Sequence, residues 1–128
     1  MLDSKKQPKN KSSKRQLRVG ELIRHALSEM MIKNEIYDQD LMDATITITE
    51  VEVTPDLKKA IAYIMPLGGL KIEKTITALN KNVKFIRGRV ATMVSLKHIP
   101  GIYFKEDTSF AYSSHINDLL KSSSQKDL

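Results

Sequence analysis

Between Lys74 and Lys105 the chain carries Lys74, Lys81, Lys84, Arg87, Arg89, Lys97 and Lys105 and not one Asp or Glu. Cations crowded in this way build a locally positive surface that attracts polyanions, and nucleic acid is the first polyanion to consider. Other chemistries find little support. The three histidines, His25, His98 and His115, fall in different segments without Cys or an i, i+4 His/Glu partner, so no metal site is expected. No nucleophile stands in a recognisable setting, and neither a cofactor nor catalytic activity is expected.

The charge is unevenly placed. Residues 1–18 hold seven bases against Asp3, residues 71–97 hold seven bases against Glu73, and the remainder sums to −6 within a chain of net charge +6. A solvated face usually mixes both signs, so this asymmetry favours a binding surface. Lys74 lies nearly two turns before a bend expected near Asn82 and reads as solvated. The acids Glu35, Asp38, Asp40, Asp43, Glu50 and Glu52 form a second, opposite patch that could dock on a basic protein. Four Tyr and three Phe leave few aromatics for base stacking, which favours contacts with RNA shape and phosphates. No helix-turn-helix or ribbon-dimer signature supports a DNA-binding protein.

These residues must be positioned by one domain, because 128 residues with 41% hydrophobic content can build a single core. The absence of Cys fits a reducing compartment, and no apolar run approaches the ~18 residues of a membrane span, so a cytoplasmic protein without membrane contact is expected. Residues 1–14, with Lys, Ser, Asn, Gln and Pro8, read as a flexible basic arm. From Leu17, the spacing of Val19, Leu22, Ile23, Ala26, Leu27 and Met30 predicts an amphipathic helix. The acid-rich link Glu35 to Asp43 ends it. Ala44 to Val53 alternates β-branched residues with Thr and Glu and predicts a strand, and its change of parity predicts a bulge near Thr49 or Glu50. A turn at Thr54-Pro55-Asp56 leads into a strand over Lys58 to Met65, antiparallel to the first and closed by Pro66 and Gly68-Gly69.

Ile72, Ile76, Leu79 and Val83 mark the next helix. A straight continuation to Lys97 would turn Phe85 outward and Lys97 inward, so a break is expected between Asn82 and Gly88. Asn82 tolerates left-handed backbone angles and Gly88 weakens a helix by about 1 kcal/mol, so either residue suits the pivot. Phe85, Ile86, Val90 and Met93 of the following helix read as core. Pro100-Gly101 stops that helix, Ile102 to Phe104 forms a third strand, and Ser109 caps a last helix to about Leu120, before a flexible tail at 121–128. The order is α-β-β-α-α-β plus a short C-terminal helix, an α+β domain with helices on one face of a three-stranded sheet.

Three stretches carry a family likeness: RVGELIRHALSEMM (Arg18 to Met31), ITITEVEVTPDLKKAIAYI (Ile46 to Ile64) and FIRGRVATMVSLKHIPGIYFKEDTSF (Phe85 to Phe110). In order and spacing the chain resembles the ribosome-binding factor A family. That resemblance implies a KH-like, type II fold over residues 15–120. It implies an RNA-binding, non-catalytic protein that associates with free small (30S) ribosomal subunits and assists their late maturation and 16S rRNA processing, with contacts near the 5′-terminal helix of that rRNA. A monomer is expected, with ribosomal proteins or other assembly factors as further partners. KH domains clamp the nucleic-acid backbone with a Gly-X-X-Gly loop, which the family replaces by an Ala-X-Gly kink. The matching positions here read Asn82-Val83-Lys84, so Asn82 is expected to support the bend, Lys84 to reach phosphate, and charge to dominate over close backbone packing. The expected RNA-binding set is Lys81, Asn82, Lys84, Arg87, Arg89 and Lys97, joined by Arg15 and Arg18 at the base of the arm.

Overall fold

The computed structural model describes residues 12–41, 45–67 and 71–108. The first helix, α1, spans Lys14–Ile32. It starts three residues before the point at which apolar spacing becomes visible, because Ser13 and Gln16 form a capping box. The Gln16 amide donates to Ser13 Oγ at 3.0 Å, and Ser13 N donates to Gln16 Oε1 at 2.9 Å. Gln16 Nε2 also donates to the Val53 carbonyl at 2.8 Å, which fastens the start of α1 to the sheet. Val19, Ile23, Ala26, Leu27 and Met30 form its buried stripe. Asn34 then takes φ 51°, the left-handed position in which helices commonly end.

β1 (Thr45–Val53) pairs antiparallel with β2 (Lys59–Leu67), and the register slips between Ile48 and Glu50. Thr49 is therefore the bulged residue, and its hydroxyl donates to Asp107 Oδ2 at 2.6 Å. β3 (Gly101–Glu106) lies parallel to β2, giving the sheet order β1-β2-β3. Contrary to expectation, β2 runs through Pro66. β3 pairs with β2 only as far as Ile64, so beyond that point β2 is an edge, where a missing N–H is tolerated.

Between the last two strands stand α2 (Ile72–Lys81) and α3 (Val83–Met93). α3 ends well before Pro100-Gly101: Val94 is already extended at φ −122°, ψ 145°. The chain needs residues 94–100 to return to the start of β3, which must lie parallel to β2. The helices cover one sheet face, burying Ala60, Ala62 and Ile64 of β2 and Ile102 and Phe104 of β3 against Ile23, Leu27, Leu79, Ile86 and Val90. The expected helix from Ser109 to Leu120, the tail at 121–128 and residues 1–11 of the expected arm lie outside the described residues.

Candidate nucleic-acid interface

The bend between α2 and α3 falls on Asn82 alone. Its backbone adopts φ −98°, ψ 15°, the sparsely populated bridge region and not the left-handed one. Four hydrogen bonds hold it there. Asn82 N donates to the carbonyls of Ala78 (3.2 Å) and Leu79 (3.1 Å), and Asn82 Nδ2 donates to Ala78 O at 2.7 Å and to Asp38 Oδ2 at 2.8 Å. The short polar side chain thus adds a second donor to the Ala78 carbonyl and ties the bend to Asp38. Gly88, the other expected pivot, sits inside α3 with nothing within 4 Å of where a Cβ would stand, so it leaves a bare patch of backbone on the exposed face.

The acidic link does not form a face of its own. It folds back along α2 and α3, where Glu35 Oε1 meets Arg89 Nε at 2.7 Å, Asp38 Oδ2 meets Lys81 Nζ at 3.3 Å, and Asp40 Oδ1 meets Lys74 Nζ at 3.4 Å. Asp38 is the centre of this clamp, with a side chain only 7% exposed. The Asp40 backbone N–H, then the Asn82 amide, then Lys81 hold its carboxyl below the ordinary aspartate range. Lys74 is thus an ion-pair partner and not simply solvated. The acids Glu35, Asp38 and Asp40, read as a docking patch, are spent inside the molecule, while Glu52 accepts from Tyr63 Oη at 3.1 Å.

This clamp sorts the expected contact residues. Lys81 and Arg89 are ion-paired, and Asn82 is the hinge. Arg87 donates from Nε to the carbonyls of Ile99 and Pro100, 3.2 Å each, which fixes the 94–100 loop while leaving the guanidinium charge uncancelled. Lys84 and Lys97 are exposed and form no ion pair among the described residues. Lys84, Arg87 and Lys97 border one shallow groove floored by Gly88 and Ala91 and closed by His98 and Ile99. Arg15 stands on a neighbouring concavity that shares Lys97 and His98 with this groove. Arg18 is exposed on α1 and borders neither.

Ile86 and Val90 are buried and Met93 partly so, but Phe85 is 50% exposed, contrary to its reading as core. A bend at Asn82 leaves Phe85 on the outer side of the first turn of α3. Lys58 and His98 also line the basic surface and escaped the sequence reading. Lys58 lies in the turn between β1 and β2, far along the chain from the acid-free stretch, and no local pattern marks it. Among the described residues no group of three His, Cys, Asp or Glu could hold a metal ion, and no helix is long and apolar enough to cross a membrane.

A mixed three-stranded sheet covered on one face, two helices meeting at a single-residue hinge and a cationic groove along the second of them define a KH-like α+β domain. The sequence matches the profile of ribosome-binding factor A over residues 15–120, and the chain belongs to that family. It is 46% identical over 117 residues to ribosome-binding factor A of Bradyrhizobium diazoefficiens, covering 91% of this chain and 81% of the relative. It is 44% identical over 110 residues to that of Methylocella silvestris, covering 86% of this chain and 71% of the relative.

Among solved structures, the crystal structure of ribosome-binding factor A from Thermus thermophilus superposes with a TM-score of 0.61 at 18% identity, covering 71% of this chain and 93% of its own. The solution structure of a Thermotoga maritima protein described as a putative ribosome binding factor A gives 0.55 at 25% identity, covering 69% and 86%. Thermus thermophilus coordinates fitted into a cryo-EM map of a 30S complex give 0.55 at 19% identity, covering 66% and 86%.

Proposed function

We propose that the protein binds rRNA of the small ribosomal subunit through the groove bordered by Lys84, Arg87 and Lys97, and in doing so assists late maturation of that subunit and processing of 16S rRNA in the cytoplasm. The observation that carries this reading is the selective pairing of charge. The acidic link cancels the cations on one side of the α2–α3 unit, while the three on the other side converge on bare backbone at Gly88. A phosphate chain can approach backbone closely where no side chain intervenes. The complex described for the Thermus relative supports the 30S subunit as partner. The same reading includes contacts near the 5′-terminal helix of 16S rRNA and with ribosomal proteins.

Charge-dominated binding has a measurable form. Each phosphate neutralised adds about 0.7 to 0.9 to the slope of log affinity against log salt. Replacing Lys84, Arg87 and Lys97 by Ala together should lower the slope for small-subunit rRNA by roughly two units. An unchanged slope would remove the groove from the interface.

A further inference from the structure

The 94–100 loop separates the basic groove from a second cleft of about 520 Å³, bounded by the start of α1 and the turn between β1 and β2. That volume lies within the range of ~300–1,000 Å³ typical of sites for small organic ligands. Its walls divide by chemistry. Val19, Leu57, Leu96 and Pro100 supply apolar surface, while Arg15, Lys58 and Lys97 are exposed cations on its border. The single carboxylate of the lining, Asp56, is turned into its own turn, where Oδ1 accepts from Thr54 Oγ1 at 2.6 Å and from Lys58 N at 3.0 Å. Leu57 is held there at φ 61°, a left-handed conformation that costs a branched residue strain. The Thr54–Lys59 hydrogen bonds hold this turn and keep the side chain at the cleft.

We propose that this cleft receives one unpaired nucleotide of the bound RNA, with the base against Leu57, Leu96 and Pro100 and its phosphate among Arg15, Lys58 and Lys97. The inference rests on the RNA-binding reading and deepens it. Lys97 and His98 line both concavities, so a strand lying in the groove can pass its next nucleotide into the cleft. A base in a duplex cannot enter, since only splayed bases expose their faces. The protein therefore distinguishes RNA with an unpaired nucleotide beside a helix from a continuous duplex.

Leu57→Gly provides the test, because glycine accepts the left-handed backbone while removing the apolar floor. With the full-length protein, affinity for a short single-stranded RNA should fall on the order of fivefold, while affinity for the corresponding duplex and the salt slope stay unchanged. Lys58→Ala should lower the single-strand slope by about 0.7. In the unaltered protein, photo-crosslinks from thiouridine-labelled single strand should map to residues 55–58 and 96–100. Equal losses on both RNAs, or none, would overturn the pocket while leaving groove binding intact. Failure of the unaltered protein to bind either RNA would overturn both readings. If an oligoglutamate peptide blocked the crosslinks without displacing RNA from the groove, the cleft would belong to an acidic protein chain.

Discussion

Asn82 and Asp38, forty-four residues apart in the sequence, meet through a 2.8 Å hydrogen bond that closes the acidic link onto the hinge between α2 and α3. The same carboxylate faces Lys81 at 3.3 Å, so one buried acid governs both the bend and the charge beside it. Where a KH loop would offer backbone to nucleic acid, this chain places its own carboxylate. The unpaired cations lie instead along α3, on the side bearing Lys84, Arg87 and Gly88, where phosphate binding is proposed.

Asp38 should make the hinge sensitive to acid. Its folded-state affinity for protons is lowered, so its stabilisation is complete above about pH 4, the ordinary aspartate range, and is lost as pH falls through the lower folded value. Backbone amide exchange at Asn82 to Ile86 should accelerate over that interval in the native protein. In Asp38→Asn the acid step at the hinge should vanish, and its persistence would assign the clamp to another group.

Arg89 should behave differently from its neighbours on α3. It spends its guanidinium on Glu35, whose side chain is 18% exposed, so Arg89→Ala should cost about 1 kcal/mol of stability yet change the salt slope of RNA binding far less than Arg87→Ala. Denaturant melts and salt titrations on the two variants check this. A full phosphate's loss of slope in Arg89→Ala would show that the ion pair opens to RNA.

The elements were largely legible in the sequence, and the charge map was not. The alternation of Ile46 and Ile48 against Val51 and Val53 announced the bulge now found at Thr49, because strand parity is a local property. The break after α2 stands where it was expected, although the phase argument for it took Phe85 as core and Phe85 is half exposed. Which residue bends, and how, depended on Asp38, a partner forty-four positions away. The acidic segment was legible only as composition, and its use as an internal clamp on Lys74, Lys81 and Arg89 emerges from tertiary contacts. Phe85 was misread for a related reason, since helical spacing sets a face only after the helix start is fixed.

Gly20 marks a close approach of helix to sheet. A Cβ there would stand 2.6 Å from the Val51 carbonyl oxygen, a backbone atom that cannot swing aside. Gly20→Ala gains about 1 kcal/mol of helix propensity but forces α1 off β1, an overpacking cost of ~1–3 kcal/mol. A thermal melt should show net destabilisation by several degrees, and an unchanged or raised Tm would refute so close a contact.

Tyr63, on β2, has its hydroxyl pushed up to about 12, first by burial and then by its hydrogen bond to Glu52. With an unfolded value near 10, its contribution to stability is fully present below pH 10 and is lost as pH rises from 10 to about 12. An ultraviolet titration of the native protein should show a late step that Tyr63→Phe removes. Retention of the late step in that variant would contradict the assignment.

The central claim, that the groove along α3 binds the small ribosomal subunit, is tested most directly by sedimenting the tagged protein with ribosomal fractions at low and moderate salt. The expected result is co-migration with free small subunits, lost in the Lys84→Ala, Arg87→Ala, Lys97→Ala variant and retained in Arg89→Ala. Undiminished co-migration of the triple variant, or absence of the native protein from every small-subunit fraction at low salt, would contradict it.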